Sequence, residues 1–339
     1  MGKERWTLLA VGIVCLGLLF PSFAGAADKG VIKLKFNAWT MSRGPFAETC
    51  MTYLDKIEKR THGRVKFERF WAGTLIPPKE EVRGVGKGMA DLAVVYAPFQ
   101  TRLSLIDVVE LPGLGETLDT LGPIAAKIGE MKAVKQQFDK YNIMLLAVNG
   151  GEPAYLISRK PVRTIGDLKG MKIRCVGDAA RMMRNLGAVP VALTSSECYQ
   201  AMQKGITDGI IMPTLGMYIW RLQEVGKYYT RLNAYCGFFY FIMNKDSWKA
   251  LPEDVKKVFE QASKEQIDTF INGYKAAYKK TFADFRKEGV ETIDLSAADN
   301  KKVTEAGRSL WEKWAKKQEK EGLAGQEVLN RCLELNGLK

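Results

Sequence analysis

In "VIKLKFNAW" the residues Ile32, Leu34 and Phe36 fall on one side of an extended chain, and Lys33 and Lys35 fall on the other. That period of two is the mark of a half-buried strand. The period then changes: "PFAETCMTYLDKIEKRTHG" is an amphipathic helix ending at Gly63, and "RVKFERFW" returns to a strand. "PPKEEVRGVGKGMADLAVVYA" predicts a second helix feeding a third strand over Leu92 to Tyr96. Strand, helix, strand, helix, strand is a doubly wound unit, and such sheets take ligands beyond the carboxyl ends of their strands. Trp39, Trp71 and Tyr96 stand at those ends.

A comparable unit begins near Tyr155. "AYLISRK" is extended, "TIGDLKG" a turn, "MKIRCV" a strand, "AARMMRNLGAVPVAL" a helix and a strand, "SSECYQAMQKG" a helix and "DGIIMP" a short apolar strand. Two α/β units predict two lobes with a cleft, and "GFFYFIMNK" reads as a long apolar strand of no single home. From Pro252 to Gly289 apolar residues recur at three- and four-residue steps, with Pro252 suited to a first helical turn and Gly289 to a C-terminal cap. About 35 residues at ~1.5 Å each give a rod of ~50 Å, longer than one small lobe is wide. Two helices broken near Gly273 are the alternative.

The first residues change the compartment. Lys3 and Arg5 precede an apolar run from Trp6 to Phe20 and then "PSFAGAADKG", the layout of a secretory signal peptide over residues 1–26 with cleavage near Ala26. The run is short of the ~20 residues of a bilayer span, so an exported, periplasmic protein is expected. The formal net charge is +13, and it stays basic without the leader. That field favours anionic partners. Lys and Arg are spread along amphipathic segments with no concentrated arm, which argues against nucleic acid.

Candidate chemistry is sparse. Cys50, Cys175, Cys198, Cys236 and Cys332 follow the leader, far apart and without a CxxC pair, so neither a disulfide framework nor a zinc site is expected. His62 is the only histidine, in the polar turn "EKRTHGRVKFE". One histidine in a turn removes Ser-His-Asp, Cys-His and multi-histidine metal chemistry. No GxSxG, GxGxxG or GxxxxGK[ST] occurs, and no cofactor is expected. The residue that stands out is Arg174 in "DLKGMKIRCVG", in the middle of an apolar strand. On the residues alone it is either on a solvated face or turned into a cleft.

Taken in order, "IEKRTHGRVKFERFWAGTL", "VGKGMADLAV", "VELPGL", "RTIGDLKGMKIRC", "LGAVPVAL", "SECYQAMQKGITDGIIMP" and "NKDSWKALPEDVKKVFEQA" resemble the solute receptors of tripartite ATP-independent periplasmic (TRAP) transporters, the DctP family. The resemblance runs over nearly the whole chain after the leader. It implies a two-lobed periplasmic-binding-protein fold of the α/β class, each lobe a sheet flanked by helices, joined by crossing strands and a long spanning helix. Lobe I would hold 27–151 plus about 240–278, and lobe II 152–239 plus about 279–339, with the long helix at about 252–288. It further implies an organic acid as ligand, TRAP membrane permease subunits as partners, a monomer, and no enzymatic activity. The ligand carboxylate would be held by the arginine of the "KIR" strand, which is Arg174 here. Guanidinium suits that role because it is planar, permanently charged and offers paired donors.

Other pocket positions depart from the sugar-acid members of the family. An arginine that such members often carry is Ala154 here, and Met212 stands where an asparagine is common. Trp39 and Tyr96 occupy strand ends that elsewhere carry polar residues, and Ser195 of the "SSECYQ" stretch completes the candidate set. For each of these side chains core packing is the plain alternative. Together they imply a monocarboxylate with an aromatic or branched apolar body. Two other readings stay open: the same receptor serving a sensor kinase, and an exported carboxylate-processing enzyme using Glu197 or Asp208.

Overall fold

The structure, a computed structural model, describes residues 30–96, 100–114 and 118–338. The leader expected over 1–26 lies outside them. In chain order the elements are β1 (Ile32–Ala38), α1 (Pro45–Arg60), β2 (Val65–Phe70), α2 (Glu81–Gly86), β3 (Leu92–Tyr96), α3 (Leu118–Gly129), α4 (Lys132–Asp139) and β4 (Ile143–Ser158). There follow β5 (Lys172–Arg174), α5 (Gly177–Asn185), β6 (Val189–Val191), α6 (Cys198–Gln203), β7 (Gly209–Pro213) and α7 (Thr214–Ile219). The rest are β8 (Tyr228–Asn244), α8 (Lys245–Ala250), α9 (Glu253–Lys287), β9 (Glu291–Ile293), α10 (Ala297–Lys320) and α11 (Gly325–Leu335).

The strands form one continuous sheet, β2-β1-β3-β8-β4-β7-β5-β6, with β9 on β8. The first doubly wound unit supplies the parallel set β2-β1-β3, and the second supplies the parallel set β7-β5-β6. Two long antiparallel strands, β4 and β8, run from one set to the other. Their pairing shifts register between Val148 and Gly151 and between Ala154 and Leu156, irregularities that bend a sheet and increase its twist. The bend divides the sheet into two lobes.

Each lobe packs apolar side chains on both faces of its part of the sheet. In the first lobe one layer holds Val95, Ile106, Ile128 and Phe138, and the other Phe36, Tyr53, Phe241 and Phe259. In the second, Leu156, Ile173 and Met182 cover one face and Ile157, Met202 and Tyr229 the other. The helix α9 is unbroken through Gly273 and buries Phe259, Phe270 and Tyr274 in the first lobe and Phe285 in the second. Gly289, at φ 75°, ends it as expected.

The C-terminal tail departs from the expectation that 279–339 belongs to the second lobe. Val303 and Leu310 of α10 do pack there, but Trp311 and Ala315 pack with the first lobe's core, as do Val328, Leu329 and Cys332 of α11. The Trp311 indole N–H donates to the carbonyl of Pro112 at 2.8 Å, fixing the switch. Heptad-like spacing tells which face of a helix is apolar and not which lobe will cover it. A second helix therefore bridges the lobes, on the face of the sheet opposite α9.

Candidate functional site

Arg174 ends β5, a strand hydrogen-bonded on both sides with Arg174 opposite Val191 and Ile210. Its side chain is 7% exposed. Its Nε donates to the carbonyl of Leu193 at 3.0 Å, and a terminal nitrogen to that of Ile211 at 3.4 Å. These neutral acceptors use two of five guanidinium donors and cancel none of the charge. Among the described residues Arg174 forms no ion pair. A buried cation in that state favours an anion from outside the chain.

Just beyond Arg174 the chain turns into α5 through Gly177 at φ 59°, left-handed backbone that glycine adopts without a side-chain clash. The turn brings Val176, Gly177 and Ala179 to a cavity of about 310 Å³. Tyr235 of β8 lines it from the same side, while Tyr96, Asp107 and Glu110 line it from the first lobe. Trp314 and Lys317 of α10 cover the remaining side. Tyr235 lies within electrostatic reach of both Arg174 and Glu110, although Arg174 itself does not line the cavity.

Behind Tyr96 stands a wall of rings. Trp39 lies 6.0 Å from Tyr96 and 6.0 Å from Phe239, and Tyr96 lies 5.2 Å from Phe239. The row continues along α9, with Phe239 to Phe270 at 6.4 Å, Phe270 to Tyr274 at 4.0 Å and Tyr274 to Tyr278 at 5.9 Å. A Cβ on Gly237 would come within 2.8 Å of the Tyr96 hydroxyl, so the missing side chain makes room for that ring.

Of the candidate residues, the structure brings Trp39 and Tyr96 together; Tyr96 lines the cavity, and Arg174 and Trp39 do not. Ala154 is fully buried in the second lobe's core and does not line the cavity. Met212 shares Arg174's face of the sheet but packs with Met217 beneath Gly216 and does not line it either. Ser195 opens a 3₁₀ turn, Ser195–Glu197, two residues after the carbonyl that braces Arg174. His62 is exposed in the turn after α1, and the five described cysteines are buried thiols. Among the described residues no cluster of His, Cys, Asp or Glu is arranged to hold a metal.

Three carboxyls near the cleft were not singled out from sequence. Asp107 and Glu110 sit on a 3₁₀ turn, Ile106–Glu110, and Glu152 sits on β4. Desolvation holds the first two well above the usual carboxylate range; the charge of Asp107 pushes Glu110 up further, while Lys317 pulls Asp107 down. Glu110 accepts from the backbone N–H of Phe238 at 2.8 Å. Glu152 accepts from the Leu215 N–H at 2.8 Å, capping the start of α7 at the lobe crossing. Burial raises Glu152 to about 7, opposed by the Leu215 amide and the Tyr278 hydroxyl. The signal was an acid inside an apolar stretch, as in "LIDVVELPGL" and "NGGEPAY".

The two acids an enzyme would have needed near Arg174 are occupied by structure. Glu197 accepts from Thr194 in a capping box, and Asp208 accepts from the Lys172 N–H at 2.8 Å. Two lobes joined by crossing strands and bridging helices, with a cavity lined from both, are the architecture of a two-lobed binding protein. The chain belongs to the bacterial extracellular solute-binding protein family 7 (DctP), whose family model matches residues 40–318. It is a solute receptor of the TRAP transporter type and not an enzyme.

It is 28% identical over 330 residues to a solute-binding protein of Albidiferax ferrireducens, covering 94% of this chain and 96% of that one. It is 27% identical over 311 residues to the C4-dicarboxylate-binding periplasmic protein DctP of Rhodobacter capsulatus, covering 90% and 89%. A TRAP periplasmic solute binding protein of Desulfovibrio salexigens, solved as an open complex, superposes with a TM-score of 0.83 at 28% identity over 90% of this chain and 95% of that one. A TRAP solute binding protein of Rhodoferax ferrireducens, solved with copurified benzoate, gives 0.74 at 21% identity over 91% and 98%. Receptors of this class are periplasmic and work with membrane permease components. No helix among the described residues is long and apolar enough to cross a membrane.

Proposed function

We propose that this receptor takes an organic monocarboxylate with an aromatic or branched apolar body and delivers it to TRAP permease subunits as an exported monomer. Arg174 holds the carboxylate, and Tyr96, backed by Trp39, packs on the body. The observation that carries this is a buried guanidinium with no ion pair among the described residues, two residues before Val176 at the wall of a cavity that Tyr96 also lines, with Trp39 behind that ring. Against that wall a polyhydroxylated acid would leave hydroxyls unpaired, at ~1–3 kcal/mol for each buried group. An apolar body gains ~25 cal/mol for each Å² removed from water. The benzoate complex of the same fold supports an aromatic acid as a body of suitable size. Ligand that contacts both lobes favours the closed state, which the permease then reads.

A thermal-shift screen over acids graded by hydroxyl count tests this. Aryl and branched acids are expected to stabilise the protein. If uronic or sialic acids stabilise it and the aryl and branched acids do nothing, the proposal fails.

A further inference from the structure

We infer that the turn at Pro112 and Gly113, resting on Gly307 of α10, is the pivot on which the two lobes rotate, and that Trp311 is the pin that holds it. Gly307 and Trp311 are positioning residues: they set the angle between the lobes without touching the solute. The inference goes beyond the reading above and does not depend on which acid is bound.

α10 is fixed to a different lobe at each end. Its N-terminal half belongs to the second: Val303 and Leu310 share a core with Ile173 and Met182. Oδ1 of Asp299 there accepts from the Ile165 N–H at 3.4 Å, and the Ala306 carbonyl accepts from the Asn185 side-chain amide at 3.1 Å. The C-terminal half belongs to the first: Ala315 shares a core with Ile106 and Phe138, and the Ser104 hydroxyl donates to Gln318 at 2.6 Å. The helix is continuous over Ala297–Lys320, so a change of angle between the lobes falls where α10 crosses from one to the other.

That crossing is at the turn. Leu111 and Leu114 are buried in the first lobe's core, and Pro112 and Gly113 between them reach the half of α10 that packs in the second. A Cβ on Gly307 would lie 2.1 Å from the Pro112 carbonyl oxygen, and one on Gly113 would lie 3.0 Å from the Val303 carbonyl oxygen. Backbone meets backbone at both points. Ridges of side chains fix a crossing angle, whereas two bare backbones fix a distance and leave the angle free. Trp311, one turn after Gly307, ties the pair through its buried indole N–H, 2.8 Å from the Pro112 carbonyl oxygen. The same helix goes on to line the interlobe cavity with Trp314 and Lys317, so a displacement at the pivot is carried to the cleft.

Double electron–electron resonance on the ligand-free protein tests the inference. Nitroxides on Lys33→Cys and Lys204→Cys, exposed positions in the first and second lobes, report the distance between lobes, and the five described native thiols are buried. Gly307→Ala is expected to shift the distance distribution, because the backbones must part by about 1 Å and small shifts at such contacts are amplified into lobe rotation. Trp311→Phe, which removes the N–H and keeps a ring, should shift or broaden the distribution less. Leu54→Ala, a core truncation on the other face of the sheet, should lower the melting temperature and leave the distribution as in the wild type. Coincident distributions for Gly307→Ala and the wild type overturn the inference, and so does an equal shift in Leu54→Ala. If Gly307→Ala does not fold, an unchanged distribution in Trp311→Phe overturns it. No acid is added, so failure here leaves the carboxylate reading standing.

Discussion

Arg174 and the acid pair Asp107 and Glu110 are held in opposite ways. Arg174 hangs from a central strand, and two backbone carbonyls hold its guanidinium before any ligand arrives. Asp107 and Glu110 hang from a short turn; one of the two is tied to β8 and the other keeps an oxygen without a partner. The guanidinium is thus pre-positioned, so little ordering cost falls on binding. The acid pair is left strained by desolvation. On the proposed reading the second lobe orients the anion, while the first carries desolvated carboxyls with no ion pair among the described residues.

The largest way to break the comparison is Arg174→Ala. Calorimetry with the best-binding acid should show affinity lost at least a hundredfold, about 3 kcal/mol or more, since the ligand's carboxylate would be buried without its partner. Arg174→Lys should recover only part of it, because an ammonium cannot match the planar fork.

Next comes pH. Glu152 has a folded pKa of about 7 against an ordinary 4.5, so its contribution is fully present below about 4.5 and is lost as pH rises through about 7. The linked change is up to about 3 kcal/mol. Glu152→Gln should flatten the fall in melting temperature over that window, and an unchanged pH profile would move the effect to another group.

A smaller effect separates the acid pair from the arginine. Asp107→Asn should stabilise the ligand-free protein by about 1 kcal/mol, roughly 2 °C, by removing a desolvated carboxyl next to another. Smallest is Glu265→Gln on the exposed seam between α1 and α9. Arg60 and Lys56 hold Glu265 down at about 2, yet solvent screens a group this open and the loss should be under about 1 kcal/mol by denaturant titration.

What the chain reveals unaided follows from local period. β1, α1, β3 and the whole of α9 could be read because their apolar residues repeat at steps of two or of three and four. Arg174 stood out in sequence because the motifs around it resemble a family and its neighbours alternate; its burial is observed, and its ligand role is proposed. The crossing strands were seen only in part: "AYLISRK" and "GFFYFIMNK" cover fragments of β4 and β8, whose register shifts break the period of two. Ala154 and Met212 matched cleft positions in sequence, yet packing turned one into the core and covered the other with α7. Asp107 and Glu110 were not singled out from sequence, because the α10 residues that cover them, Trp314 and Lys317, come about two hundred residues later. Such long-range cover leaves no local trace.

The most direct measurement is a crystal structure of the protein with its bound acid. The ligand carboxylate should lie on the Arg174 guanidinium through two parallel N–H···O contacts of about 2.7–2.9 Å. A carboxylate seated elsewhere, with Arg174 still bonded only to the Leu193 and Ile211 carbonyls, would contradict the account.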